Sequence, residues 1–203
     1  MSVAASTIAS MFDCEVGKLD AAGAAAAVSA AHQHVVEQEC LLLQLAAHWA
    51  DLHHPDTLTG ESNAGVAPGR ERARRLGGEG TPEVLEFAAA ELGARQGTTT
   101  GAGRALMADA MDLRHRLPQL WARVLAGGVR VWRARKVAQA TRHLSRDAAA
   151  QVDVVVAGLA AALPWNRFET LLAAKIIEAD PAEAELRGED VGGGPVRPHR
   201  SDR

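Results

Sequence analysis

Apolar residues recur at every seventh position in the N-terminal part of the chain. One series is Val28, Val35, Leu42 and Trp49, and the position three residues later holds Ala31, Gln38, Leu45 and Leu52. This heptad spacing is typical of a long α-helix with an apolar seam along one side. Asp20 is a favourable N-cap and Pro55 opposes continuation, so the pattern predicts one long N-terminal helix within residues 20–54.

The two series together, which we call the heptad seam, have two interpretations. The seam is either the face by which a long helix packs along its own domain or the contact of a coiled-coil homodimer. Gln38 and the small Ala31 weaken the homodimer without removing it. The candidate residues for self-association are Val28, Val35, Leu42, Leu45 and Trp49.

Glycine and charged residues replace the apolar pattern over residues 55–80, which predicts a mobile linker. Thr81 as N-cap and Pro82 at the first helical position then predict a helix that continues to Arg95. Further helices are predicted over about 101–116, from Pro118 to Gly127, near Trp132, from Ser145 to Leu163, over about 167–179 behind an Asn166 cap, and briefly at Asp180-Pro181. These segments form a predicted helical bundle over residues 81–187, between a flexible arm at 1–19 and a disordered tail at 188–203.

The composition favours an all-α fold, with the long N-terminal helix beside a compact multi-helix bundle. Hydrophobic residues make up 47% of the chain and aromatic residues only 3%, and alanine supplies much of the apolar content. Small apolar residues with few β-branched or aromatic runs favour packed helices over a sheet. A chain of 203 residues is long enough for one such core with extensions.

Cysteine usage and hydropathy bear on the compartment. The only cysteines are Cys14 and Cys40, which form no Cys-x-x-Cys motif, so we expect reduced thiols. No basic segment begins the chain as in a signal peptide, and the apolar window at 154–163 is much shorter than the roughly 20 residues that cross a bilayer. We therefore expect a cytoplasmic protein with no membrane partner.

Charge is segregated along the chain, although the formal net charge is only −3. Residues 1–80 carry five Lys and Arg against ten Asp and Glu, residues 81–150 carry eleven against six, and residues 151–203 carry six against nine. A basic middle attracts nucleic acid, while the acidic flanks weaken any long-range steering.

The basic charge is densest over residues 113–146, which hold nine Lys and Arg and no carboxylate. In the predicted helix near Trp132, the spacing gives an inward stripe of Ala134, Val137, Ala138 and Thr141. The opposite side is either a solvated face or a surface that contacts phosphates, and the absence of acids keeps the second interpretation open. The candidate nucleic-acid-binding residues are Arg130, Arg133, Arg135, Lys136 and Arg142.

Residues 86–113 have the helix, glycine turn and second helix of a helix-turn-helix. Asp109 and Asp112 on the second helix oppose DNA, so the pattern favours an ordinary packed hairpin. The tryptophans at 49, 121, 132 and 165 fall at predicted helix seams, which favours core positions over base stacking.

The histidines predict no metal site, and no cofactor is expected. His32 and His34 diverge by about 160° on a helix, whereas His48 and Asp51 lie three residues apart, and surface or helix-end positions explain them best. The glycine-rich stretch at 97–103 follows a helix rather than a strand and lacks the Gly-Lys-Ser/Thr of a phosphate loop.

Residues 80–181 resemble a bacterial family, found largely in high-GC actinobacteria, that is called domain of unknown function 222. The resemblance is carried most specifically by "LRHRLPQLWARV", "WRARKVAQATRHLS" and, in the N-terminal helix, "LAAHWADLH". It implies a helical region that usually precedes a C-terminal HNH endonuclease module and has no established activity of its own. No catalytic residue is therefore carried over to this chain.

An HNH site needs a metal held by His or Asp, a neighbouring general-base His and an Asn that orients it. After Arg187 the chain holds His199 as its only histidine, and neither Cys nor Asn. We therefore expect a truncated, non-catalytic member of an HNH endonuclease-associated family that contacts DNA through the basic segment. The alternative is a protein-interaction or self-association module that uses the heptad seam.

Overall fold

The computed structural model describes residues 16–57 and 71–181, and 71% of these residues are helical. Its α-helices are α1 at Ala21–Leu52, α2 at Ala88–Arg95, α3 at Thr100–Arg116, α4 at Pro118–Leu125, α5 at Val131–Thr141, α6 at Arg146–Val156 and α7 at Trp165–Ala179. Two short strands, β1 at Ala73–Arg75 and β2 at Glu83–Leu85, and 3-10 turns at Val16–Lys18 and Pro55–Thr57 complete the elements. The predicted all-α class is confirmed.

The chain divides into two units, Met1–Glu39 and Cys40–Arg203, so α1 contributes to each of them. In the first unit, α1 begins where the sequence predicts, because the Asp20 carboxylate accepts the Gly23 backbone N–H at 2.7 Å. Further along, the Gln33 amide donates to the Glu37 carboxylate at 3.1 Å, one helical turn away. Residues 1–15 of the predicted arm and residues 182–203, which include the predicted tail, lie outside the described residues.

Helix α3 lies at the centre of the second unit and contacts α2, α4, α5 and α6. Every residue from 106 to 113 is buried, as expected of a helix that is surrounded by other helices. The part of α1 in this unit buries a separate face of Leu43, Ala46, Ala47 and Ala50. Helix α4 begins at Pro118, and Asp153 of α6 accepts the Gln119 and Leu120 backbone N–H groups at 2.8 and 3.0 Å.

Helices α2 and α3 form a tight hairpin built on glycines. Gly97 has a φ of +66°, the left-handed conformation that ends α2 in a sharp turn. A Cβ atom at Gly103 would lie 2.8 Å from the backbone nitrogen of Gly93, so the two helices approach too closely for any side chain there. Thr99 caps α3 by accepting the Ala102 backbone N–H at 3.1 Å.

The antiparallel ribbon of β1 and β2, in which Arg74 lies opposite Val84, differs from the sequence expectation. The pattern places 73–75 in a mobile linker and 82–95 in one helix, but the first segment is a strand and the helix begins only at Ala88. Thr81 is not an N-cap, because its hydroxyl donates to the Gly78 carbonyl at 2.8 Å. Residues 58–70 of the predicted linker lie outside the described residues.

The cause of the difference is tertiary. Val84 and Leu85 are buried, and the Leu85 backbone N–H donates to the His53 carbonyl at the end of α1 at 2.9 Å. Strand β2 is thus held extended by partners that are distant in sequence.

Two helix boundaries near the C-terminus are also corrected. Ser145 caps α6 as predicted and accepts the Ala148 backbone N–H at 3.2 Å, but the helix ends at Val156 rather than Leu163. Helix α7 begins at Trp165, with Pro164 rather than Asn166 at its N-cap. No helix among the described residues is both long and apolar enough to span a membrane.

Candidate nucleic-acid interface

The five candidate cations lie on or beside α5. Arg130 occupies the N-cap position, Arg142 the C-cap position, and Arg133, Arg135 and Lys136 lie between them. The predicted inward stripe of Ala134, Val137, Ala138 and Thr141 is buried. Helix α5 therefore has the orientation that its apolar spacing predicts, and its cations differ in the partners that they meet.

Arg135 and Arg142 bind two carboxylates of α3 that are fully buried. Asp109 accepts Arg135 Nε at 2.7 Å, Arg142 Nη2 at 2.6 Å and the Gln139 amide at 2.8 Å. Asp112 accepts Arg142 Nε at 2.7 Å. Although burial lowers the pKa of Arg142, its hydrogen bonds and ion pairs with Asp112 and Asp109 raise that pKa overall, so the guanidinium stays charged.

A third arginine, Arg116 of α3, binds Asp112 from the buried side of the cluster. It is 1% exposed and donates to Asp112 at 3.1 Å and to the carbonyls of Thr141 and Leu144 at 3.0 and 2.6 Å. We call this set of Asp109, Asp112, Arg116, Arg135 and Arg142 the arginine clamp. With three guanidinium groups against two carboxylates it retains one positive charge.

Arg133 differs from Arg135 and Arg142, because its hydrogen-bond acceptors are neutral carbonyl groups rather than carboxylates. Its Nη1 donates to the carbonyl oxygens of Ala160 and Leu163 at 2.6 and 2.9 Å, which are neutral acceptors in the turn after α6. Its guanidinium carbon lies 5.4 Å from the centroid of the Trp132 ring. Lys136 follows three residues later and is exposed. The N-terminal half of α5 therefore presents positive charge beside an aromatic ring.

The sequence interpretation of Trp132 as a core residue is wrong, because the residue is 43% exposed. Its ring centroid lies 5.0 Å from that of Trp165, which in turn lies 5.8 Å from that of the fully buried Phe168. The other three tryptophans are partly buried, and Trp49 Nε1 donates to the Ala88 carbonyl at 3.1 Å. Trp132 is therefore the outer member of an aromatic row that runs inwards to the core.

A groove of about 390 Å³ lies between α5 and α7, next to this aromatic row. Its lining residues are Lys136, Gln139, Ala140, Trp165, Glu169, Leu172, Ala173 and Ile176. Most of this surface is apolar, with the Lys136 ammonium as its cation and the Glu169 carboxylate as its anion.

Apart from Trp49, the residues of the heptad seam are exposed. In the first unit Val28 and Val35 are exposed, and in the second unit Leu42, Leu45 and Leu52 are 41%, 51% and 56% exposed. Trp49, the remaining candidate, is partly buried and hydrogen-bonded to α2. In the second unit, α1 therefore packs on its own domain through a face other than the seam.

The α2–α3 hairpin has the packed form that the sequence favours. Asp109 and Asp112 do not oppose DNA from its surface, because both are buried in the arginine clamp. The exposed residues of α3 lie near its two ends, at Arg104 and Arg114 for example, and residues 106–113 between them are buried. A recognition helix needs a longer exposed face to lie along the major groove.

Two of the α1 histidines lie close to carboxylates one turn away on the same helix. His34 lies 3.4 Å from the Glu37 carboxylate and His48 lies 3.8 Å from that of Asp51, each three residues away on α1. Within residues 16–57 and 71–181, no three His, Cys, Asp or Glu side chains are grouped so that they hold a metal ion.

Sequence reasoning missed the arginine clamp, although a signal for it exists. Asp109 and Asp112 lie three residues apart in a helix that is otherwise apolar around them, and carboxylates are rarely buried unless cations or hydrogen-bond donors bind them. Arg135 and Arg142, seven apart on one side of α5, supply those cations. The missing information was the packing of α3 against α5.

The fold and these contacts define an all-helical protein whose buried ion cluster joins two helices of a bundle and leaves a basic, aromatic surface on one of them. The family model described as "Domain of unknown function (DUF222)" matches residues 52–190. The match covers more than half of the chain, so the chain belongs to this family. The searches of curated proteins and of solved structures found no match.

Proposed function

We propose that the chain is a cytoplasmic, non-catalytic module of an HNH endonuclease-associated family and that it contacts nucleic acid through the exposed side of α5. The observation that supports this most is the burial of Asp109 and Asp112, because it removes from the surface two carboxylates that would repel phosphate near the basic run. Arg133 and Lys136 contact phosphates in this proposal. Arg135 and Arg142 hold α5 in place against α3.

Fluorescence anisotropy with a labelled duplex tests the proposal. The association constant falls as the salt concentration rises, and a plot of their logarithms has a slope of about −0.9 for each phosphate contacted. Lys136→Ser weakens binding and reduces the steepness of that slope by about 0.9, because one phosphate contact is lost. The control is Arg104→Ser, which removes an exposed cation on α3. Absence of binding at low salt refutes the proposal.

The absence of catalysis is a separate part of the proposal. The family match and the described residues supply no group to which nuclease chemistry is assigned. Incubation of the purified chain with plasmid DNA and Mg²⁺ or Mn²⁺ leaves the DNA intact if the proposal holds. Metal-dependent cleavage that copurifies with the chain shows that the module is itself an enzyme.

The second candidate function is self-association through the heptad seam. It is favoured by Leu42, Leu45 and Leu52, which are exposed on the part of α1 that belongs to the second unit, while another face of that same part is buried within the unit. Exposed leucines at heptad spacing are the residues that pair in a two-helix contact. In this case a second copy of the chain is the partner.

A further inference from the structure

We propose that the nucleic-acid surface of α5 takes a single strand, with one base stacked on the indole of Trp132 and the adjoining phosphates on Arg133 and Lys136. This inference rests on the proposed function and specifies the class of nucleic acid that the surface recognises. It depends on Trp132, which no part of the sequence analysis assigns to binding.

Trp132 has the exposure and the support that a stacking platform needs. The residue is 43% exposed, and the Trp165 ring packs against it with the two ring centroids 5.0 Å apart and the planes tilted by 58°. Trp165 is supported in turn by Phe168, which is fully buried. Because the indole is already held in place, little side-chain freedom remains to be lost when a base stacks on it.

The cations beside the indole match the phosphates on both sides of a stacked base. Arg133 is the next residue along α5, and its guanidinium carbon lies over the indole ring, 5.4 Å from the ring centroid. Its hydrogen bonds to the Ala160 and Leu163 carbonyls fix the guanidinium without neutralising it. Lys136 lies one helical turn beyond Trp132, on the edge of the groove between α5 and α7.

This combination favours a single strand over a duplex. Stacking on a protein ring requires a base whose face is free, whereas the faces of bases in a duplex are covered by their neighbours. A duplex therefore uses the cations of α5 alone, and a single strand uses both the cations and the indole. Glu169 is the one carboxylate that lines the groove, and it opposes any phosphate that enters there.

Anisotropy measurements on the full chain with a labelled oligothymidylate and a duplex of the same length test the inference. Trp132→Ala weakens single-strand binding about tenfold, equivalent to about 1.4 kcal/mol, and leaves duplex binding unchanged. Trp132→Phe retains most of the single-strand affinity, since a smaller aromatic ring still stacks. Phe87→Ala is the matched control, because Phe87 is an aromatic residue that is 58% exposed and lies at the N-cap of α2 rather than on α5.

Two further measurements separate stacking from other effects. Glu169→Gln tightens single-strand binding, because the carboxylate in the groove is neutralised. Indole fluorescence is quenched by the oligothymidylate in the unchanged chain, and that quenching is lost in Trp132→Phe. Urea unfolding of Trp132→Ala shows whether the fold is kept, and if it is not, the loss of fluorescence quenching in Trp132→Phe is the test of stacking.

The outcomes that overturn the inference differ from those that overturn the proposed function. In one outcome, duplex binding depends on salt, but Trp132→Phe and Trp132→Ala both bind the single strand as tightly as the unchanged chain does. That result refutes stacking and leaves the proposed phosphate contacts unaffected. If neither the duplex nor the single strand binds at low salt, both the proposed function and the stacking inference are refuted. Equal weakening of single-strand and duplex binding in a folded Trp132→Ala also refutes stacking, since it assigns the indole a role shared by both.

Discussion

At the scale of single residues, Asp109 and Asp112 show how strongly the meaning of a charge depends on its depth. In the sequence they border a basic run and weaken a DNA-binding interpretation, but in the fold both are fully buried. Their charge is matched by guanidinium groups from α3 and α5, with Asp109 held by Arg135 and Arg142. Sequence spacing shows which residues share a helix face, but it does not show which helix packs against that face.

Removal of Asp109 should strongly destabilise the fold. Asp109→Ala leaves Arg135 without its carboxylate partner and Arg142 with Asp112 alone, and breaking a buried ion pair from one side costs about 3–5 kcal/mol. Urea unfolding followed by circular dichroism measures this loss as a lower midpoint with an unchanged slope.

Asp51→Ala is the matched control for this loss. Asp51 accepts Arg114 Nη1 at 2.6 Å, but the two side chains are 40% and 38% exposed, and exposed pairs contribute about 0–1 kcal/mol. If Asp109→Ala costs no more than Asp51→Ala, the arginine clamp does not stabilise the bundle.

At the scale of secondary-structure elements, helices were predictable where their signals are local. The Asp20 cap and the apolar spacing predict α1 within residues 20–54, the spacing alone predicts α3 over about 101–116, and the helices run over Ala21–Leu52 and Thr100–Arg116. The ribbon was not predictable in this way, because β1 is exposed along its length and depends on pairing with β2 ten residues later. The predicted start of α2 was wrong because partners that are distant in sequence hold β2 extended.

The α2–α3 hairpin allows a test of two glycines on the same helix. Gly103→Ala should destabilise the fold by about 1–3 kcal/mol, because its Cβ would lie 2.8 Å from the Gly93 backbone nitrogen and 3.1 Å from the Gly93 Cα. Gly101→Ala meets no atom nearer than Thr99 Oγ1 at 3.7 Å. It should therefore stabilise the helix by up to about 1 kcal/mol through helix propensity.

Thermal unfolding of the two glycine variants gives the comparison directly. The expected midpoints lie on opposite sides of that of the unchanged chain. If the unfolding midpoint of Gly103→Ala equals or exceeds that of Gly101→Ala, α2 and α3 do not approach each other as closely as described.

At the scale of the whole molecule, the candidate functions occupy different surfaces. The basic and aromatic surface belongs to α5, and the exposed leucines belong to α1. The sequence supplied the candidate residues for both, through charge counting and heptad spacing. It missed Trp132 as a surface residue and the internal use of Arg135 and Arg142, because both depend on how α5 packs against its neighbours.

Self-association through the heptad seam would involve two copies of the whole chain. In the second unit, Leu42, Leu45 and Leu52 are exposed along α1, and a second copy would bury the same residues in a symmetric contact. Light scattering over a range of protein concentrations should detect a dimer that Leu42→Glu abolishes, because a carboxylate in a closed apolar seam is costly. Gln44→Glu adds the same charge at an exposed polar position and should leave the dimer intact. A chain that stays monomeric at all concentrations, or a dimer that both variants weaken equally, contradicts pairing through the seam.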